Sequence, residues 1–360
     1  MTTKSILDDR LRNQQITGDH CYTPAELVGW LGGIQAQNYE QAKWALGCRL
    51  TGLNENSIEQ EIEGKSIIRS WLFRGTLHFV AAADIHWLLD LISAKIIQSS
   101  HTRNKQLELD EALFKKCNGL LSRAFKSKAT LTREEITLKL AAAGINTGAP
   151  RLYHLLHRAA LEKIICMGPK QGKQFTYMLV NHCVPPGKPL KKDEALYQLA
   201  LRYFKSHGPA TLQDFLWWSG LTISDAKTAL ESAKSKLLSL KNGADIFWYA
   251  LNQQPKAPAS KIMRLLAGFD EYVLGYKDRS RFLSPARAKE VITANGLFNP
   301  TIVYDGQVIG TWKRLMDKHN NVEIKTNMFR MLTIDEQKKL VRAIKEYGIY
   351  LGKAVALKEK

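Results

Sequence analysis

The sequence predicts a mainly α-helical α+β protein, in which three tandem winged-helix motifs precede a C-terminal β-rich part. Three observations predict it: a trihelical pattern closed by a two-stranded wing in the middle of the chain, the same order on either side of it, and hairpin-like patterning towards the end. The 360 residues, 45% hydrophobic and 24% charged, have ordinary globular composition and length for several domains, which excludes wholesale disorder and collagen-like repeats. The expected boundaries are residues 1–98, 99–190, 191–255 and 256–360.

The middle motif has the clearest local pattern. Apolar spacing predicts a helix over Leu113–Phe125; Thr130 to Glu135 offers a cap and acids ahead of a helix from Ile136 to Ala143, stopped by Gly144; a third helix follows over Ala149–Leu161. Ile164–Met167 and Phe175–Val180 then read as wing strands, joined by a Gly- and Lys-rich loop at 168–174. On the third helix Leu152, Leu155, Leu156 and Ala159 point one way, while Arg151, His154, His157 and Arg158 form a cationic face on the other. In the first motif Leu7–Ile16 is helical, Thr23-Pro24 opens a second helix and Ser57 is expected to cap a later one. Strands over Ser66–Phe73 and Thr76–Val80 turn at Arg74-Gly75, and Asp84 is expected to cap the helix Ile85–Ile97. The third motif reads as helices over Glu194–Ser206, Leu212–Trp218 and Ser224–Leu238, then a strand at Phe247–Leu251. A Pro- and Lys-bearing linker, Gln253–Ala259, leads to a hairpin turned at Asp305-Gly306, a strand at Val322–Thr326 and a terminal helix Ile334–Glu346.

Charge points to the partner. Lys and Arg total 52 against 34 acids, a net of +18, and such an excess repels itself unless a polyanion relieves it. Residues 91–192 hold the largest share, 18 basic against 6 acidic, whereas residues 1–90 carry 8 against 11. Nucleic acid is the leading partner, with Arg151, His154, Arg158, Lys170, Lys173 and Arg279 as candidate phosphate contacts. The start is too polar for a signal peptide and no apolar run is long enough to span a membrane, so a cytoplasmic, nucleoid-associated protein with no membrane partner is expected. Five cysteines without C-x-x-C spacing read as reduced thiols, and the nine histidines nowhere fall at ligand spacing, so no metal and no cofactor are expected. Phosphate-cradling Gly loops and the serine-hydrolase elbow are also missing.

Two segments resist a purely structural reading. In Gly32-Gly-Ile-Gln-Ala-Gln37, glycines break a helix and two amides follow two residues apart, sharing a face only on extended backbone; the plain alternative is surface glutamines at a helix end. In Leu265–Tyr272 and Gly275–Ser280 charged and phenolic groups crowd together, either as a turn stitched by salt bridges or as a site with an acidic base or an Arg279 phosphate contact. Trp71, Trp217, Trp218 and Tyr276 read as core aromatics.

The runs Leu31–Gln37, Trp71-Leu-Phe-Arg-Gly-Thr-Leu-His78, His207–Leu221, Phe269–Ser280 and Val308–Lys313 together resemble the AlkZ-like winged-helix DNA glycosylases. The resemblance spans almost the whole chain. It implies winged helices around a basic channel and hydrolysis of the N-glycosidic bond of alkylated purines, crosslinked ones included. The family signature, Gln, an apolar residue, then Gln or Asp, maps onto Gln35, Ala36 and Gln37, the Gln-x-Gln branch. Alternation along Thr76-Leu-His78 sets Thr76 and His78 on one face of the strand beside the Arg74-Gly75 turn, in the same motif as the glutamines. Arg74, Thr76 and His78 are therefore candidate neighbours of the site, the plain alternative being a core threonine and a hydrogen-bonded histidine; Asp270 and Glu271 are the candidate acids should a base be needed.

Elementary chemistry narrows what such a pair can do. A glutamine amide does not titrate near neutrality and cannot be a general base; it can only orient a water and weakly solvate a developing oxocarbenium ion. The leaving group must therefore be good already, as in N7- or N3-alkylated purines, whose positive charge departs with the base. No nucleophilic Lys accompanies the motif, which favours a monofunctional enzyme that uses water. The expected partner is double-stranded DNA with alkylated bases, bound by a monomer. The reading from another class is a non-enzymatic winged-helix regulator or architectural protein; against it, one chain carries three winged helices and no coiled-coil dimer seam.

Overall fold

The second helix of each winged helix starts in the same way. Thr23, Thr132 and Thr211 each accept a hydrogen bond from the peptide N–H three residues on, and Glu26, Glu135 and Asp214 at that place reach back to the threonine's own N–H. These reciprocal capping boxes satisfy donors that a helix start otherwise leaves open. A fourth, Thr333 with Glu336, opens the terminal helix Ile334–Leu351.

The computed structural model describes residues 2–18, 22–50, 52–251, 261–316 and 321–358, and these divide into two compact units. The first comprises residues 1–60 and 196–360, the second residues 61–195. The expected boundary at 98/99 is therefore not where the chain divides: the hairpin Ile67–Trp71 and Leu77–Ala81 and the helix Ile85–Ser99 cluster with the middle motif. A shared sheet explains this. Ile165–Gln171 pairs with Ile67–Trp71 through Arg69 and Met167, so the two hairpins run on as strands 77–81, 67–71, 165–171, 174–179 and 131–132.

Within the second unit the helices Glu111–Ser127, Arg133–Ala142 and Arg151–Leu161 and the wing Ile165–Gln171/Gln174–Leu179 form a winged helix. The third helix starts at Arg151 and not Ala149, after a cis Ala149–Pro150 bond. The loop expected at 168–174 is mostly strand: pairing continues past a bulge near Pro169 to Gln171 and Gln174, and only Gly172, left-handed at φ 62°, and Lys173 turn. Two expected caps are corrected. Asn54, whose Oδ1 accepts from the Ser57 N–H at 2.9 Å, caps the helix Glu55–Glu63 in place of Ser57. Asp84 makes no cap bond and instead accepts from the Trp87 indole at 2.9 Å.

In the first unit the opening helix is Thr3–Asn13, and a helix without an expectation, Tyr39–Gly47, is capped by Asn38. The third motif consists of Lys192–Ser206, Leu212–Ser219 and Ile223–Ala233 with the wing Leu237–Asn242/Asp245–Ala250. The helix expected to reach Leu238 ends at Ala233, since Leu237 to Asn242 pairs with the returning strand. Beyond it lies a sheet in the order 355–357, 322–328, 307–316, 301–304, 263–266. Its hairpin turns where expected, at Asp305 and Gly306, both with positive φ. The Gln253–Ala259 linker lies outside the described residues. Trp312 and Trp44 donate to the carbonyls of Leu266 and Leu265 at 2.8 Å, and both rings meet Tyr347 of the terminal helix at centroid distances of 5.1 and 4.7 Å. Strand, terminal helix and Tyr39–Gly47 are thereby fixed together. No described helix is long and apolar enough to cross a membrane.

Candidate active site

The Gly-Gly pair does what its sequence suggests. Gly32, left-handed at φ 79°, ends the helix Pro24–Leu31, Gly33 follows at φ 141°, and Ile34–Gln35 is extended. Gln35 is buried at 6% exposure and Ala36 completely so, whereas Gln37 is exposed in the bend before the Asn38 cap. Extended backbone thus reaches Gln35 and gives way before Gln37, so strand alternation does not put the two amides on one face, and the bend at Gln37 sets its direction instead.

Three of the motif-bearing segments of the first unit meet behind Gln35. The Gln35 peptide N–H faces Oε1 of Glu271 at 3.4 Å. The other Glu271 oxygen accepts from the Trp218 indole at 2.9 Å and lies 3.4 Å from Nε2 of His207. His207 is fully buried, with Nδ1 2.8 Å from the Ser206 hydroxyl and its ring stacked on Tyr203 at 4.7 Å. Tyr276 donates its hydroxyl to the His207 carbonyl at 2.8 Å, and the Arg10 guanidinium lies 3.8 Å from the Tyr276 ring centre. Burial pushes the Tyr276 phenol above its ordinary value, so it is a neutral donor here. Asp270 has a different fate from its neighbour. Both its oxygens are held by Arg49, at 2.7 and 2.8 Å, and one also accepts from the Tyr272 N–H at 2.9 Å. Its carboxylate is committed to folding, leaving Glu271 as the acid beside the glutamine segment.

Arg74, Thr76 and His78 belong to the second unit. Arg74 sits in a left-handed conformation, φ 57°, next to Gly75 at φ 72°, a strained turn of the kind functional sites store. His78 is buried, its Nδ1 2.9 Å from the Thr76 carbonyl, and burial with the nearby Arg74 charge pushes its pKa down to about 3. It is neutral at physiological pH.

The cationic face expected on Arg151–Leu161 is largely neutralised. His157 is buried, edge-on to Trp71 and stacked on Tyr153, and burial lowers its pKa to about 4, so it faces the core. Arg158 is paired with Glu162 at 2.6 Å and with Glu111 at 2.5 Å. Arg151 donates to the carbonyls of Leu107 and Asn146. His154 is half-buried, and burial lowers its pKa. Lys173 stands exposed at the tip of the wing, and Lys170 lies 5.4 Å from the Phe175 ring. Arg279 of the first unit is half-buried, braced by the Val273 carbonyl at 2.7 Å and flanked by Trp217 and Phe298. The anchoring roles of Trp218, His207 and Arg49 were not foreseen; the proximity of His207 and Trp218 in one motif-like run was the available signal.

Residues 28–349 match the family model described as DNA glycosylase AlkZ-like. The chain belongs to the AlkZ-like DNA glycosylase family. It is thus a DNA-repair hydrolase of N-glycosyl bonds, and the regulator reading gives way to an enzyme. An interstrand DNA cross-link repair glycosylase of Streptomyces sahachiroi is 27% identical over 315 residues, 80% of this chain and 81% of the relative. The solved structure of the Streptomyces sahachiroi DNA glycosylase AlkZ superimposes with a TM-score of 0.85 at 20% identity, covering 99% of both chains, which shows a common fold. In this AlkZ-like enzyme no three described metal-ligating side chains converge.

Proposed function

We propose that this AlkZ-like glycosylase hydrolyses the N-glycosidic bond of cationic N-alkylated purines in double-stranded DNA, with Gln35 and Gln37 holding the attacking water. The observation that carries the reading is the buried, extended setting of Gln35 behind the Gly32-Gly33 kink, with Asp270 spent on Arg49. Amides orient water without taking its proton, so the reaction depends on a leaving group that carries its own positive charge. As the bond breaks, that charge is neutralised on the departing purine and the sugar becomes oxocarbenium-like. Water then adds at C1′ and releases its proton to solvent. No enzyme amine enters the step, so the enzyme is monofunctional. The relative's role in crosslink repair extends the substrate range to crosslinked purines, unhooked by the same bond cleavage. The enzyme works as a cytoplasmic, nucleoid-associated monomer.

A base-release panel tests this. N7-methylguanine and N3-methyladenine should be released from duplex DNA, a nitrogen-mustard crosslink should be unhooked, and uracil and normal bases should stay. Borohydride should trap no covalent enzyme–DNA adduct. Release of uracil as fast as of N7-methylguanine would overturn the reading.

A further inference from the structure

Glu271 is an acid at 1% exposure, and a carboxylate that deep persists only where donors saturate it. It accepts from the Trp218 indole at 2.9 Å and the peptide N–H of Gln35 at 3.4 Å, and Nε2 of His207 lies 3.4 Å away. The His207 ring is itself held in place, with Nδ1 2.8 Å from the Ser206 hydroxyl, which donates to the Arg202 carbonyl at 2.8 Å. Trp218 also packs on the kink: a Cβ at Gly32 would stand 3.1 Å from its ring. One carboxylate and one indole therefore clamp both ends of the stretch Gly32–Gln35. The next helix is tied down as well, since Gln41 of Tyr39–Gly47 accepts from the Gly268 N–H at 2.8 Å.

We infer that Glu271 is a positioning residue, which with Trp218 and His207 fixes the Gln35 peptide and so aims the Gln-x-Gln segment, without itself touching water or DNA. This rests on the proposed water-holding role of the two glutamines. A peptide bonded to an anchored carboxylate cannot rotate away, and misplacement of a catalytic group by about 1 Å costs on the order of 100-fold in rate.

The order of two substitutions tests it, read as single-turnover release of N7-methylguanine per DNA-binding-competent molecule. Glu271→Gln keeps an acceptor at the same reach and should lose about 3- to 10-fold; Glu271→Asp keeps the charge but withdraws it by a methylene and should lose about 10- to 100-fold. DNA affinity should change in neither. A general-base role reverses the order, because Asp retains a base and Gln does not; a purely structural role leaves both at the wild-type rate per folded molecule. Either result overturns the inference. Combined with Gln37→Ala, Glu271→Asp should add little further loss, since both act through one segment; full additivity would also overturn it. If Glu271→Asp does not fold, Trp218→Phe removes one donor and should slow release about 3- to 10-fold, with an unchanged rate as the contrary result. Normal release by Gln37→Ala would instead sink the water-holding reading itself, whatever the Glu271 variants do.

Discussion

Asp270 receives both terminal nitrogens of Arg49, at 2.7 and 2.8 Å, across 221 positions of sequence, with neither side chain more than 1% exposed. Arg49 also donates to the Gln14 carbonyl at 2.8 Å, so three distant segments share one ion pair. Breaking such a pair leaves an uncompensated buried charge. Asp270→Asn should therefore destabilise folding by about 3–5 kcal/mol, seen as a lower denaturation midpoint at unchanged m. A midpoint like that of the wild type would show that the pair contributes nothing.

For the proposed chemistry, Gln37→Ala should slow base release by about 10- to 1000-fold and leave DNA affinity nearly intact, the range for loss of a positioned polar group. Gln37→Asp supplies a carboxylate and should retain activity or shift it towards less labile adducts. Equal loss of binding and release would assign Gln37 to DNA contact.

The pH profile separates an amide from a carboxylate. With a permanently cationic adduct, single-turnover release should show no acid limb between about pH 5 and 8, a window set by reference carboxylate and histidine values. A limb that survives in Gln37→Ala would locate a titrating base elsewhere, and Glu271, not Asp270 or the neutral His78, is the residue to change next.

Stability has its own pH dependence. His78 and His157 are pushed down to about 3 and about 4 from 6.5, so the unfolded chain binds protons that the folded one refuses. Their contribution is complete above about pH 6.5 and is lost as pH falls towards the folded values, by up to about 1.4 kcal/mol per pH unit for each histidine. His157→Phe should flatten this slope between pH 6.5 and 4 in chemical denaturation, and an unchanged slope would exonerate His157. His78→Ala should lower stability; a loss of turnover per folded molecule as well would bring His78 into the site.

Salt should weaken DNA binding steeply, and the wing is where the slope should respond. Lys173→Glu should reduce the salt dependence of the binding constant, whereas Arg158→Ala should chiefly lower stability, since Arg158 is already paired with Glu111 and Glu162. Equal salt slopes for wild type and Lys173→Glu would remove the wing tip from the interface.

Local chemistry was legible where one short segment decides the outcome. Thr23-Pro24, Asp305-Gly306 and the Gly32-Gly33 kink folded as their residues dictate. The expected cationic helix face failed because helical spacing places His157 beside Arg158 on one arc, while only packing decides that His157 stacks on Tyr153 and Arg158 meets Glu111. Leu237 and Leu238 continued a helical pattern, and their pairing with Ala250 and Tyr249 overrode it. Asp270 and Glu271, adjacent and chemically alike, could not be told apart in the sequence, since the partners that separate them come from residues 49 and 218.

The chain leaves the first unit at residue 60 and returns to it at 196. A ribosome delivers the Gln-x-Gln segment early, yet Trp218, Glu271 and the Asp270 partner of Arg49 emerge far later. During synthesis the second unit can collapse as an uninterrupted stretch, while the first must wait with an unpaired Arg49 for its closing half. A nascent chain cut short anywhere before residue 270 consequently exposes the glutamines without the frame that holds them.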